Sequence, residues 1–166
     1  MIFVYLSSTA WFNFNLVTFY LKYLPGDIFS NMIAVSMSET IAALFSGEIV
    51  RCMGPSRAFT ISSSLCAFGG FCLLIATKID DAVLTTFSIV ISKLASSLAI
   101  SLIYMNILYY FPNQFLGRVM GTCGTIGKGV TILAPLVAET PWPCSALTMI
   151  VSCSIATMLS FWLKKP

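Results

Sequence analysis

Five polar breaks, Lys22 to Asp27, Arg51 to Arg57, Lys78 to Asp81, Phe111 to Arg118 and Glu139 to Pro143, cut this 166-residue chain into six apolar runs. Each run is about 20 residues or longer, enough for a helix rising 1.5 Å per residue to cross a hydrocarbon layer of ~30 Å. Only 9% of the residues are charged and 58% are hydrophobic, whereas soluble domains carry roughly 25% charged residues. A soluble core of this size has too little interior to hide so much apolar surface, so lipid is the expected solvent. Closed barrels also satisfy backbone groups in lipid, but they read as short alternating strands, unlike the continuous run from Ala82 to Ile107.

The expected fold is therefore an all-α membrane protein: a single domain over 1–166 with six transmembrane helices near 1–22, 28–50, 58–77, 82–108, 117–138 and 142–163. The first run lacks a basic leading segment and contains Trp11, Asn13 and Asn15, so it reads as a mature helix and not as a signal peptide. With six crossings, Arg51, Arg57, Arg118, Lys164 and Lys165 fall on the side of the termini. Lys22 and Lys78 fall opposite, together with Asp27, Asp80, Asp81 and Glu139. Basic loops stay in the cytoplasm, so both ends are expected there. The net charge of +3 is then a topological signal. Its basic residues form no patch, and the expected partner is the bilayer, with no nucleic acid.

Glu39, Lys93 and Lys128 each lie near the middle of a separate apolar run. An ionisable group at that depth costs at least ~2.5 kcal/mol and marks a functional site by default. The plainer reading of Lys128 is that it pairs with Glu39 or caps a backbone carbonyl inside the bundle, with no ligand involved. Pairing Glu39 with Lys93 is the preferred arrangement, because it leaves Lys128 free and one net positive charge in the membrane. Trp11, Phe12, Asn13, Phe14, Asn15, Phe19 and Tyr20 in the first run could line an amphipathic pocket for an organic ligand. Alternatively, the aromatics face lipid and the amides simply find partners.

The chain has no His and no convergent carboxylate pair, and its Ser, Cys and Lys residues have no evident activating base. Neither enzymatic chemistry, a metal site nor a cofactor is expected. The six cysteines show no metal-site or disulfide-scaffold spacing and read as small buried hydrophobes. Small residues crowd Ser92 to Ser101 and Gly117 to Gly129, where close helix approach is expected. Gly124, Gly127 and Gly129 would loosen the helix that holds Lys128. Without a phosphate-binding loop, any transport would draw on gradients or exchange.

Four stretches carry a resemblance. Gly26-Asp27-Ile28-Phe29 precedes Glu39, which lies thirteen residues after the glycine. Gly47 and Gly54 follow with the spacing of a Gly-x-x-x-Asp-Arg-x-Gly-Arg-Arg loop, with Arg51 in the acidic position, Cys52 in the basic one, Pro55 and Ser56 in the last two basic positions and Arg57 just after them. Tyr109-Tyr110-Phe111-Pro112 runs through Arg118, Gly121, Cys123, Thr125 and Lys128 to Leu133-Ala134-Pro135, with Tyr109 where a loop glutamate is usual. Phe161 to Pro166 matches loosely. Together these resemble the second, C-terminal half of a major facilitator superfamily transporter, of the organic cation and organic anion branch of solute carriers.

The resemblance implies alternating-access transport of a small organic ion. Gly47, Gly54, Arg57, Pro112 and Arg118 would belong to gating loops, and Glu39, Lys93, Lys128, Trp11, Asn15 and Tyr20 to the substrate site. Lys128 takes the position where cation carriers tend to have Asp and anion carriers Arg, so an anionic substrate is expected. Such carriers bind substrate between two six-helix halves. The chain is therefore read as a fragment of a carrier, as a half that pairs with a second half, or as a non-transporting structural subunit of a larger membrane complex.

Overall fold

The computed structural model describes residues 2–20, 28–79, 82–140 and 144–162. Every regular element among them is an α-helix: α1 (Ile2–Tyr20), α2 (Ile28–Met53), α3 (Pro55–Ile79), α4 (Ala82–Tyr110), α5 (Asn113–Val130), α6 (Leu133–Ala138) and α7 (Cys144–Trp162). The all-helical expectation holds. Among the described residues, five stretches are long and apolar enough to cross a membrane: Met32–Met53, Pro55–Ala76, Val83–Tyr110, Asn113–Ala138 and Cys144–Trp162. This makes the chain a multi-pass membrane protein. The first helix is not one of the five, because Ser7, Ser8, Thr9, Asn13 and Asn15 dilute its apolar character.

Two expected boundaries move for local reasons. A loop was expected between 50 and 58, but only Gly54 separates α2 from α3. Its φ of +80° is a left-handed conformation that suits glycine, and its N–H still donates to the Val50 carbonyl at 2.9 Å. Pro55, with no N–H to satisfy and a preset φ, opens the next helix. From α4, the Asn106 amide donates to the Pro55 carbonyl at 3.0 Å and secures the junction.

The expected helix 117–138 instead spans 113–138 and breaks at Thr131 and Ile132 into α5 and α6. Pro135 cannot donate to Thr131, whose carbonyl is taken by the Ala134 N–H at 3.0 Å. The Thr131 hydroxyl donates back to Lys128 O at 2.6 Å, which further tightens the turn.

The long helix α4 is the axis of the bundle, with α1, α2, α3 and α5 all packed against it. On the outside, α7 lies along α3, while α5 and α6 lie along α1. Gly69 allows the α3–α4 approach: a Cβ there would fall 3.2 Å from Ser92 Cα and inside the van der Waals envelope of its hydroxyl. Beside it, Ser62 donates to the Ala95 carbonyl at 2.7 Å. Two apolar layers fill the interior, one around Leu16, Leu73, Ile89 and Met149 and the other around Leu6, Phe59, Leu102 and Ile107. Small residues at helix contacts let backbones approach where lipid supplies no hydrophobic drive between helices.

Candidate functional site

Lys93 lies on α4 within the serine-rich stretch, and only 1% of its side chain is exposed. Its ammonium lies 3.1 Å from a carboxylate oxygen of Glu39 on α2. It also donates to the Phe14 carbonyl at 3.1 Å and to the Thr18 hydroxyl, both on α1. The Phe14 ring lies against the same ammonium, 3.2 Å from ring centre to nitrogen. One side chain thus ties three helices together.

Unit charges 3.1 Å apart attract by ~5 kcal/mol at an effective dielectric of ~20. Holding two charges at membrane depth costs ~2.5–3.5 kcal/mol each, so the pair roughly balances as a unit. Its importance lies elsewhere. Removing one member leaves the other uncompensated.

Lys128, on α5, is placed differently. It is exposed, no carboxylate pairs with it among the described residues, and its ammonium sits 5.5 Å from the centre of the Trp11 ring. Trp11 in turn meets Phe14 edge-on, with centroids 6.2 Å apart and planes at 76°. The two aromatic rings therefore join the exposed cation to the buried one. Cation–π contacts of this kind contribute ~0.5–1 kcal/mol at exposed sites, too little to neutralise Lys128.

Contact between α1 and α5 depends on Gly127. A Cβ there would lie 2.9 Å from Trp11 Cδ1 and 3.2 Å from Ser7 Oγ. The Ser7 hydroxyl donates to the Cys123 carbonyl at 3.2 Å, one turn earlier. Gly127 thus seats the ring beneath Lys128. The outer side of α5 carries Arg118, Thr122, Thr125 and Lys128, with Phe115 and Ile126 exposed among them. This largely polar face of a membrane-length helix points away from the rest of the bundle.

The remaining expected site residues divide. Trp11 is at the site. Asn15 is half-buried and donates to its own helix at the Trp11 carbonyl, 2.9 Å away. Tyr20 closes α1, and its side chain lies outside the described residues. Asn13 is buried against α7, where its amide donates to Cys153 Sγ at 3.1 Å and its carbonyl accepts from Ser152 at 3.1 Å.

Sequence reasoning missed Thr18, Ser152 and Cys153. Only the one-turn spacing of Phe14 and Thr18 hinted at a shared seat. Lys22 and Asp27, expected in the loop after the first helix, lie outside the described residues.

At the expected gating positions, Gly47 is exposed and unconfined, and Gly54 forms the α2–α3 junction. Arg57 is exposed in the first turn of α3, Pro112 precedes α5, and Arg118 is exposed on α5. Arg51 reaches Glu48 of its own helix at 4.0 Å, with both side chains exposed. An exposed pair like this adds little and links no two helices.

No family model matches the chain, and no curated protein is significantly similar to it.

Proposed function

We propose that the chain transports small organic ions, anions in preference to cations, as one half of an alternating-access carrier of the major facilitator type. The observation that carries this reading is Lys128: a cation without a carboxylate partner among the described residues, exposed on a membrane-length helix and backed by Trp11. Ionisable groups at membrane depth face a bundle interior or a water-filled cavity, where they mark ion pathways. The polar face of α5 fits a cavity between this bundle and a second six-helix half, with Lys128 drawing in the substrate's negative charge. Lys93, already engaged by Glu39 and α1, sets the geometry of the wall and does not contact substrate.

Uptake by vesicles carrying the chain in its native assembly tests this. With benzoate and a quaternary ammonium ion as probes, Lys128→Asp should abolish benzoate uptake or shift preference to the cation. Unchanged uptake of both would remove Lys128 from the selectivity site.

The structural-subunit reading has one observation in its favour: Arg51 pairs within its own helix, so this position holds no latch between helices. It predicts a larger native assembly that lacks any second six-helix half, and no effect of Lys128→Asp on solute flux.

A further inference from the structure

Where α3 begins and α7 ends, a groove of about 260 Å³ is lined by Ser56, Arg57, Thr60, Ile61, Ser160 and Phe161. Both helices are membrane-length, and the groove lies within two turns of their ends, Pro55 and Trp162. That places it where hydrocarbon gives way to headgroups.

A short hydroxyl network forms its floor. Thr60 and Ser160 hydroxyls are 2.8 Å apart, Ser160 donates to the Ser56 carbonyl at 3.3 Å, and Ser56 donates to the Ser160 carbonyl at 3.5 Å. The exposed side chains of Ile61 and Phe161 form apolar walls, with Trp162 exposed beyond them. Aromatic residues at this level are characteristic of the membrane interface.

Arg57 stands at the rim, exposed, and no carboxylate pairs with it among the described residues. Glu48 on neighbouring α2 is in contact with Arg51 instead. A guanidinium fork matches phosphate geometry with two parallel hydrogen bonds.

We propose that this groove is a binding site for an anionic phospholipid, with its phosphate on Arg57 and an acyl chain along Ile61 and Phe161. Two features favour a lipid over a soluble phosphate. The Thr60 and Ser160 hydroxyls are engaged with each other, so the groove lacks the ring of donors that would hold a small anion alone. Its walls are apolar and continue into the span. Net negative charge on the lipid is favoured because, among the described residues, the groove's only charged side chain is a cation, and Lys164 and Lys165 follow α7 in the sequence.

The test uses the full chain in phosphatidylcholine bilayers doped with phosphatidylglycerol, with retained lipids identified by native mass spectrometry. Phosphatidylglycerol should be enriched over its bulk fraction. Arg57→Gln should lower that enrichment about fivefold, the factor corresponding to ~1 kcal/mol per basic residue at an anionic surface. Arg57→Lys should retain part of it, and Arg118→Gln, an exposed basic residue outside the groove, should leave it unchanged. Equal losses in Arg57→Gln and Arg118→Gln would overturn the site in favour of diffuse attraction. So would the absence of any preference for phosphatidylglycerol, or its complete displacement by soluble glycerol phosphate. All three substitutions are at exposed positions, so folding is preserved.

Discussion

Replacing Glu39 by Gln keeps the side chain's size and a hydrogen-bonding group while deleting the counter-charge of a lysine that is 1% exposed. At 3.1 Å the lost attraction is ~5 kcal/mol at an effective dielectric of ~20. Glu39 is itself 35% exposed, so solvent screens a substantial part. The Phe14 carbonyl, the Thr18 hydroxyl and the Phe14 ring continue to hold the ammonium. The expected loss is therefore about 2–3 kcal/mol, below the 3–5 kcal/mol typical of a fully buried broken pair.

Lys93→Met should cost less, about 1–2 kcal/mol, because the half-exposed Glu39 can turn to water when its partner goes. The double variant Glu39→Gln/Lys93→Met carries no orphaned charge. It should be more stable than the sum of the single losses by about 2 kcal/mol. Neutral hydrogen bonds between membrane helices couple by roughly 0.6 kcal/mol on average and ~1.7 at most, so the cycle separates an ion pair from a hydrogen bond. Reversible unfolding in mixed micelles, followed by tryptophan fluorescence, measures all four proteins. Additivity within ~0.5 kcal/mol would refute the claim that the pair acts as a unit.

Further outcomes follow from the helix contacts. Gly127→Ala would drive a methyl against Trp11 and Ser7 and should cost about 1–3 kcal/mol by overpacking. Gly121→Ala meets nothing within 4 Å and should be neutral or stabilising by up to ~1 kcal/mol. Both are read by the same unfolding assay. Gly54→Ala places a side chain at φ +80° and should lower stability by about 1–2 kcal/mol, with Asn106→Ala weakening the same junction. Asn13→Ala leaves Cys153 and Ser152 without their amide partner and should cost about 1–2 kcal/mol, seen as easier separation of α1 from α7.

The helical architecture is legible in the sequence because long apolar runs leave backbone groups no partners in lipid except those within the helix. The Glu39–Lys93 pairing was the preferred arrangement, but the sequence also allowed Glu39 to pair with Lys128, and the packing of α2 on α4 decides it. The seat that α1 provides for Lys93 was not legible. Thr18 looks like any other threonine until α1 and α4 are side by side, and the contact depends on helix rotation, which apolar runs do not encode.

The break at Thr131 was carried by Pro135 but masked by the continuous apolar character of the run. The tight α2–α3 junction was hidden by Arg51 and Arg57, which read as loop residues although both are helical. Charges suit the ends of membrane helices as well as the loops between them. Gly127 was expected at a close helix contact and is one, but that α1 and Trp11 lie opposite depends on helix packing that the small-residue stretch does not encode.

The most direct test of the proposed transport site is the water access of Lys128. Thr125→Cys, one turn before Lys128 on the exposed side of α5, and Lys93→Cys, in native membranes, would be treated with an anionic, membrane-impermeant thiosulfonate, and labelling counted above that of the parent chain. Strong reaction at position 125 that benzoate slows while Lys128 is intact, with none at position 93, is the predicted result. An inert cysteine at position 125, or one whose labelling ignores benzoate, would place that face of α5 against lipid or protein and contradict the carrier reading.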